Sequence, residues 1–245
     1  MKGIVLAGGA GTRLRPLTKV TSKQLLPIYN KPMVLYPIET LVRAGISEIL
    51  VIIAPSNAGD FLKLLGNGSA YNCKISYEIQ EKPEGIAQAL SIGKNFIGKD
   101  SVALILGDNL YGDDFTADIK NFKTGGKIFA KKVADPKRFG VVEFNKEMKA
   151  LSIVEKPSCP KSDYAVTGLY LYDNTCLQKI TQIKPSARGE LEITDINNLY
   201  LKEGKLAVTF VNSYWLDCGT FESLYQANTL MRQKQIETVK LKKVS

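Results

Sequence analysis

Residues 1–30 read MKGIVLAGGAGTRLRPLTKVTSKQLLPIYN, and their order decides the fold. Residues 3–7 form a short apolar run with β-branched members, long enough for a buried strand and too short for a helix. Gly8, Gly9 and Gly11 follow at once. Glycines where a strand hands over to a loop let the backbone take positive φ and bring its N–H groups close to a ligand, which suits phosphate oxygens. Arg13 then supplies a planar fork of donors for phosphate, and Lys23 a compact point charge. Two familiar phosphate motifs are excluded. A P-loop needs a Gly-Lys-Ser/Thr end, which is absent, and the dinucleotide fingerprint needs a glycine where Leu14 stands. A glycine-rich turn would explain GGxG alone, but not the whole set with Arg13, Lys23 and Leu25-Leu26-Pro27.

Working outward, residues 33–44 carry apolar positions at helical spacing and stop at Gly45. Residues 48–54 (EILVIIA) read as a strand, 57–65 as a short helix, and 74–79 as the next strand. This alternation predicts a parallel sheet with crossovers. After the turn at Pro83 and Gly85, residues 86–94 read as a helix and 101–106 as a buried strand that delivers Asp108. Ligands of open α/β sheets sit at the carboxyl ends of strands, so the glycine loop, Gln80 and Asp108 are expected to open into one crevice. Residues 127–133, 140–144, 148–154, 165–172 and 205–211 are strand-like. Residues 174–183, 191–202 and 220–233 are helical, and 215–219 a strand end or loop. With no linker or repeat in view, 1–245 reads as a single domain whose second half extends the same sheet.

The chain has 44% hydrophobic and 23% charged residues, the balance of an ordinary soluble protein. No apolar run approaches the roughly 20 residues of a bilayer span, and glycines interrupt the only early apolar run, so no signal peptide is expected. Cys73, Cys159, Cys176 and Cys218 lack metal-site spacing and read as reduced thiols, which points to the cytoplasm. There is no histidine. That excludes His-based triads, His metal ligands and His general bases, leaving chemistry to carboxylates, Lys, Arg and backbone dipoles. A formal charge of +9 suits phosphorylated small molecules or nucleic acid. The scattered lysines, without interleaved aromatics, argue against nucleic acid. The one dense basic run, 240–243, reads as a solvated tail.

Several residues carry open alternatives. Asp108 follows an apolar strand, where an ionised carboxylate needs a cation or donors; a hard divalent ion would serve, and so would capping of a helix near Phe115. Asp217, in WLDCGT, is either a second carboxylate for that ion or part of a plain Asp-x-Gly turn. Lys156 at a strand tip could hold a sugar phosphate or be surface charge. Gly168 inside a strand marks close approach of a ligand or another chain segment, or simple sheet curvature. Arg188, Glu190 and Glu192 in SARGELEITD read as an acidic helix start.

The strings GGAGTRLRPLT and SKQLLPIYNKPM resemble the N-terminal signature of sugar-1-phosphate nucleotidylyltransferases. EGIAQAL, ILGDN, RFGVVEF, IVEKP, AVTGLYLYD, SARGELEITDIN and WLDCGT follow in the order of that family. The resemblance implies an α/β nucleotide-diphospho-sugar transferase fold: a Rossmann-like mixed, mostly parallel central sheet flanked by helices, with a smaller β-rich sugar-binding extension. It implies transfer of a thymidylyl group from dTTP to glucose 1-phosphate with Mg²⁺, giving dTDP-glucose and pyrophosphate. Leu6, Gly8, Gly9, Gly11 and Thr12 would embrace the triphosphate with Asp108, and Gln80 and Gly85 would face the base. Arg13, Lys23 and Lys156 would be catalytic. Asp108 and Asp217 would hold Mg²⁺, and Gly140, Glu155, Lys156, Val166 and Tyr170 would line the sugar-phosphate pocket. Phe139 stands where many relatives have Tyr, and Cys218 where many have Thr. Longer relatives carry C-terminal helices that shape assembly and a regulatory nucleotide site; this chain stops soon after Gln233, though a homo-oligomer is still expected. The rival readings are a UTP-using or other sugar pyrophosphorylase, and a non-catalytic sugar-nucleotide sensor.

Overall fold

The computed structural model describes the backbone of residues 1–242 and the side chains of residues 1–239, so the reading of the 240–243 basic run as a solvated tail lies outside the described residues. The strands are β1 (Lys2–Ala7), β2 (Pro27–Ile28), β3 (Lys31–Pro32), β4 (Glu48–Ile53), β5 (Lys74–Ile79), β6 (Val102–Leu106), β7 (Asn109–Tyr111), β8 (Gly126–Lys132), β9 (Gly140–Phe144), β10 (Ala150–Glu155), β11 (Tyr164–Tyr172), β12 (Leu206–Phe210) and β13 (Trp215–Asp217). The helices are α1 (Leu35–Arg43), α2 (Ala58–Leu65), α3 (Gln88–Ile92), α4 (Lys94–Ile97), α5 (Thr116–Asn121), α6 (Cys176–Lys179), α7 (Ile193–Lys202) and α8 (Phe221–Lys242).

Nine strands form one mixed sheet, in the order β10-β9-β11-β6-β1-β4-β5, with β8 pairing β11 and β12. The stretch β6-β1-β4-β5 is parallel, as the strand-helix rhythm of the first hundred residues requires. Antiparallel β11, β9 and β10 then extend the sheet. Successive residues of β1 point to opposite faces, so Val5 packs with Val51, Phe61 and Phe129 under α1, α2 and α5. Ile4 packs with Leu50, Leu104 and Tyr172 on the face covered by α3, α4 and α7. Truncating fully buried Phe61 to Ala would cost about 3–5 kcal/mol. A smaller cluster of Ile28, Met33, Leu110, Cys218, Ala227 and Met231 seats α8 against β2 and the β7/β13 ribbon.

Most expected elements are present, and the departures have local causes. The 86–94 helix is split into α3 and α4 at Gly93, where a Cβ would stand 2.7 Å from Ile4 Cδ1. The 174–183 helix shrinks to α6, while the closing helix runs past 233 to Lys242. Asp108 caps no helix near Phe115; the α5 amide of Thr116 donates instead to Asp114 Oδ1 at 2.9 Å. At Gly168 the β11–β8 register shifts, and the close neighbour is a side chain of this protein, for a Cβ there would stand 2.5 Å from Asn109 Oδ1.

Candidate active site

The carboxyl edge of β1 and β6 opens on a cleft of ≈ 480 Å³. The glycine loop borders it through Lys23, which lines the cleft. Gly11 takes φ 59°, a left-handed conformation that glycine adopts without penalty, and its carbonyl accepts Leu14 N–H at 3.0 Å and Thr18 Oγ1 at 2.8 Å. A Cβ on Gly11 would stand 3.2 Å from Lys23 Cβ, so the loop lies directly on the lysine. A Cβ on Gly8 would stand 2.2 Å from Gln80 Oε1, so any larger residue there must displace the end of that side chain. Gln80 is buried at the end of β5 and donates through Nε2 to Gln88 Oε1 at 2.6 Å. The expected convergence of glycine loop and Gln80 is therefore a contact.

Two carboxylates and three cations face one another in the cleft. Lys23 donates to Asp108 Oδ2, forming an ion pair with side chains only 14% and 8% exposed. Burial disfavours the charge on both. Their mutual attraction and hydrogen bond outweigh it, lowering the Asp108 carboxyl and raising the Lys23 ammonium from their ordinary values. Asp217, at the end of β13, is opposite in behaviour: burial and the nearby Asp108 charge push it up to about 6. Arg138 reaches Asp217 Oδ2 only at 3.9 Å. Arg13 is exposed and lays its guanidinium over Gly219, 2.8 Å from where a Cβ would stand.

Asn109, unmarked by any sequence signal except its place after Asp108, ties these parts together. Its Nδ2 donates to Asp108 Oδ1 at 3.0 Å, while its Oδ1 accepts Gly168 N–H at 3.1 Å and Trp215 Nε1 at 2.6 Å. Thr167, next in the wall, is fully buried, and its Oγ1 has no partner among the described residues.

At the other end of the cleft lie Gly140, Glu155, Lys156, Val166 and Tyr170, all expected from the sequence. Lys156 has φ 44°, a strained conformation for a residue with a side chain. Its N–H donates to Phe139 O at 3.0 Å, and Pro157 follows it. Glu155 Oε2 accepts Thr194 Oγ1 at 2.7 Å, with Lys156 Nζ 3.9 Å and Arg188 Nη2 3.6 Å from its Oε1. Gly140 leaves room there, since a Cβ would lie 3.1 Å from Thr194 Oγ1. Arg188, which the acidic-helix reading did not connect with the cleft, stands behind Glu155, its guanidinium bonded to both Glu192 carboxylate oxygens at 2.8 Å. Of the residues expected around the nucleotide, Asp108 lines the cleft, whereas Leu6, Gly8, Gly9, Gly11, Thr12, Gln80 and Gly85 do not. Gly85 backs onto Leu191, whose carbonyl would lie 2.4 Å from a Cβ.

One cleft without histidine thus joins Arg13, Lys23, Asp108 and Asp217 to Glu155 and Lys156, with the glycine loop beside Lys23. A family model described as nucleotidyl transferase matches residues 2–234. The chain belongs to this nucleotidyl transferase family. Among other nucleotidyl transferases, it is 53% identical over 241 residues to the glucose-1-phosphate thymidylyltransferase of Neisseria meningitidis, covering 96% of this chain and 84% of that one. A crystal structure of a candidate glucose-1-phosphate thymidylyltransferase from Bacillus anthracis, in complex with a sucrose, superposes with a TM-score of 0.90 at 46% identity and 95% coverage of each chain. A UDP-glucose pyrophosphorylase complexed with UDP-glucose has the same fold, with a TM-score of 0.84 at 24% identity, covering 95% of this chain and 98% of that one. This nucleotidyl transferase thus has the mixed α/β sheet, flanked by helices, that its sequence predicts.

Proposed function

We propose that the protein transfers a thymidylyl group from dTTP to α-D-glucose 1-phosphate, releasing pyrophosphate and forming dTDP-glucose. The observation that carries this is one cleft with Arg13, Lys23, Asp108 and Asp217 at one end and Glu155 with Lys156 at the other. The high identity to named thymidylyltransferases supports the choice of substrates.

The sugar phosphate is its own nucleophile. Its second pKa lies near ~6, so it is a dianion at neutral pH and needs no general base, which suits a chain without histidine. An oxygen of that phosphate bonds to the α-phosphorus as the bond to the β-phosphate bridging oxygen breaks, and pyrophosphate leaves in line. The obstacle is bringing two anions together, so the side chains act by positioning and neutralisation. In this reading the N–H groups around Gly8, Gly9 and Gly11 hold the triphosphate, with Leu6 and Thr12 beside them. Arg13 neutralises charge building on the α-phosphate and Lys23 steadies the leaving pyrophosphate. Gln80 reads the edge of the base with the Gly85 turn alongside, Lys156 fixes the attacking phosphate, and Glu155 accepts from sugar hydroxyls over a floor of Gly140, Val166 and Tyr170.

Asp108 and Asp217 fit a Mg²⁺ site. Asp217 is pushed up to about 6, first by burial and then by the nearby Asp108 charge, and a hard cation held between the two carboxylates would favour its ionised form. Bound there, the ion would screen the phosphates and withdraw electron density from the α-phosphorus. Two protein carboxylates plus substrate oxygens are a usual Mg²⁺ set, in keeping with the lack of any cluster of three or more acidic, Cys or His ligands among the described residues. None of the helices among the described residues is long and apolar enough to cross a membrane. Together with four free cysteines, this is consistent with the cytoplasmic reading; the single domain and the homo-oligomer are part of the same proposal.

The test is pyrophosphate release from four nucleoside triphosphates against several sugar 1-phosphates, with and without Mg²⁺. Mg²⁺-dependent release from dTTP and glucose 1-phosphate is expected. UTP should serve more weakly, since a missing methyl alters binding by only about 1–3 kcal/mol. Silence with every pair would overturn the reading in favour of a sugar-nucleotide sensor.

A further inference from the structure

Asp108 and Asp217 belong to different segments, and what sets their spacing is a ribbon of only three residue pairs. β7 and β13 match Trp215 with Tyr111, Leu216 with Leu110 and Asp217 with Asn109. The end at Asn109 opens on the cleft. The far end is fastened by two charged side chains remote from it.

Asp113, two residues beyond β7, accepts Asn212 N–H at Oδ1 (2.9 Å) and Ser213 N–H at Oδ2 (2.8 Å). Lys131, on β8, donates to the carbonyls of Val211 (3.1 Å), Asn212 (3.1 Å) and Ser213 (2.6 Å). All three ammonium protons are thus directed at successive peptides of one loop. Gly112 N–H adds a bond to Tyr214 O at 2.9 Å, and no larger residue fits at 112, because a Cβ would stand 2.2 Å from Ser213 Oγ. Asp113 is itself tied to α1, its carbonyl accepting from Arg43 Nη2 at 3.2 Å. Loop 211–214 therefore has its N–H groups held by an anion and its C=O groups by a cation, just before the strand that ends in Asp217. Charge-assisted bonds of this kind are about twice as strong as neutral ones, far more than a connection between two strands needs.

We infer that Asp113 and Lys131 are positioning residues for nucleotidyl transfer, locking the β7/β13 ribbon so that Asp217 is held opposite Asp108. This rests on the two carboxylates being the metal site, so its test needs a signal that does not depend on that site. Trp215, the single tryptophan of the chain, provides one from within β13.

Lys131→Met keeps the side-chain length and loses the donors; Asp113→Asn keeps one acceptor and loses the charge. Tryptophan emission with acrylamide quenching, and the Mg²⁺ concentration for half-maximal turnover, are read in both variants and in Lys131→Arg. Greater quenching of Trp215 in Lys131→Met and Asp113→Asn is expected. The Mg²⁺ requirement should rise about tenfold, the lower end of what loss of outer-shell support costs a metal site, with kcat at saturating Mg²⁺ within about twofold. Lys131→Arg should restore both. Unchanged quenching, or altered quenching with an unchanged Mg²⁺ requirement, would overturn the inference. If Lys131→Met fails to fold, the same two readings on Asp113→Asn decide it. If the wild type needed no Mg²⁺, the metal reading and this positioning role would fail together, whereas a Mg²⁺-dependent wild type with indifferent variants sinks only the latter.

Discussion

The two ends of the cleft hold their functional groups by different means. At the end proposed for the triphosphate the backbone does most of the shaping: the glycines that follow β1 pack Gly8 on Gln80 and Gly11 on Lys23. At the end proposed for the sugar phosphate, shape comes largely from a side-chain network in which Glu155, Glu190 and Glu192 surround Arg188 and Thr194 donates to Glu155. A site made from one loop can be damaged by a methyl group. A site made from ion pairs tolerates small steric change and is sensitive to charge.

That contrast can be broken most sharply at Arg13. Arg13→Ala should lower kcat by about 10²–10³, the usual cost of removing one donor aimed at developing charge, with thermal stability unchanged because the side chain is exposed. Wild-type turnover in a folded variant would remove Arg13 from the mechanism.

At the opposite end, Lys156→Met should act on the sugar side alone. KM for glucose 1-phosphate should rise roughly tenfold or more, as for loss of a charge-assisted bond of about 1.5–3 kcal/mol, with KM for dTTP unmoved. An equal rise in both constants would show that the two ends are not separate.

Asp217 separates the charge balance of the triphosphate end from its chemistry. Its carboxyl binds a proton more readily folded, at about 6, than at its ordinary value of 3.8. The folded state therefore holds more protons between those values, and stability from this group falls as pH rises from about 4 to about 6, staying low above. Asp217→Asn should abolish activity, yet raise stability at pH 7.5 without metal by on the order of 2 kcal/mol, with little gain at pH 4. Denaturant melts at the two pH values check this; an equal change at both would contradict the assignment.

The smallest effect is expected at Gly8. Gly8→Ala must displace Gln80 Oε1, the far end of a flexible side chain, so it should weaken dTTP about three- to tenfold, near 1 kcal/mol, and leave the sugar unaffected. Competition with UTP would show whether Gln80 is the group that moved.

The same contrast explains what was legible in the sequence. The end proposed for the triphosphate is contiguous: Gly8, Gly11, Arg13 and Lys23 lie within sixteen residues, so their closeness in the fold was legible from spacing. Asp108 was readable because an acid at the end of an apolar strand has no packing role. Arg188 was not, because its partners are glutamates whose pattern resembles an ordinary helix start, and only the folded chain shows them turned onto one guanidinium. Asn109 could not be read at all. Its contacts lie 59 and 106 residues away, at Gly168 and Trp215, and no local periodicity encodes them. The parallel half of the sheet followed from alternation of apolar runs, whereas the pairing of β8, β9 and β11 depends on long-range register that composition does not fix.

The one amide of Asn109 also limits how the enzyme can be re-engineered. Its three partners lie on β6's exit, on β11 and on β13, so a graft that imports the sugar-binding segments of a relative with a different preference exchanges some of them and leaves others behind. Chimeras cut anywhere between 109 and 215 inherit a mismatched junction unless the donor has the same Asn, Gly and Trp. If Glu155 contacts the sugar as proposed, point changes around it disturb the Asn109 junction less than exchange of whole segments does.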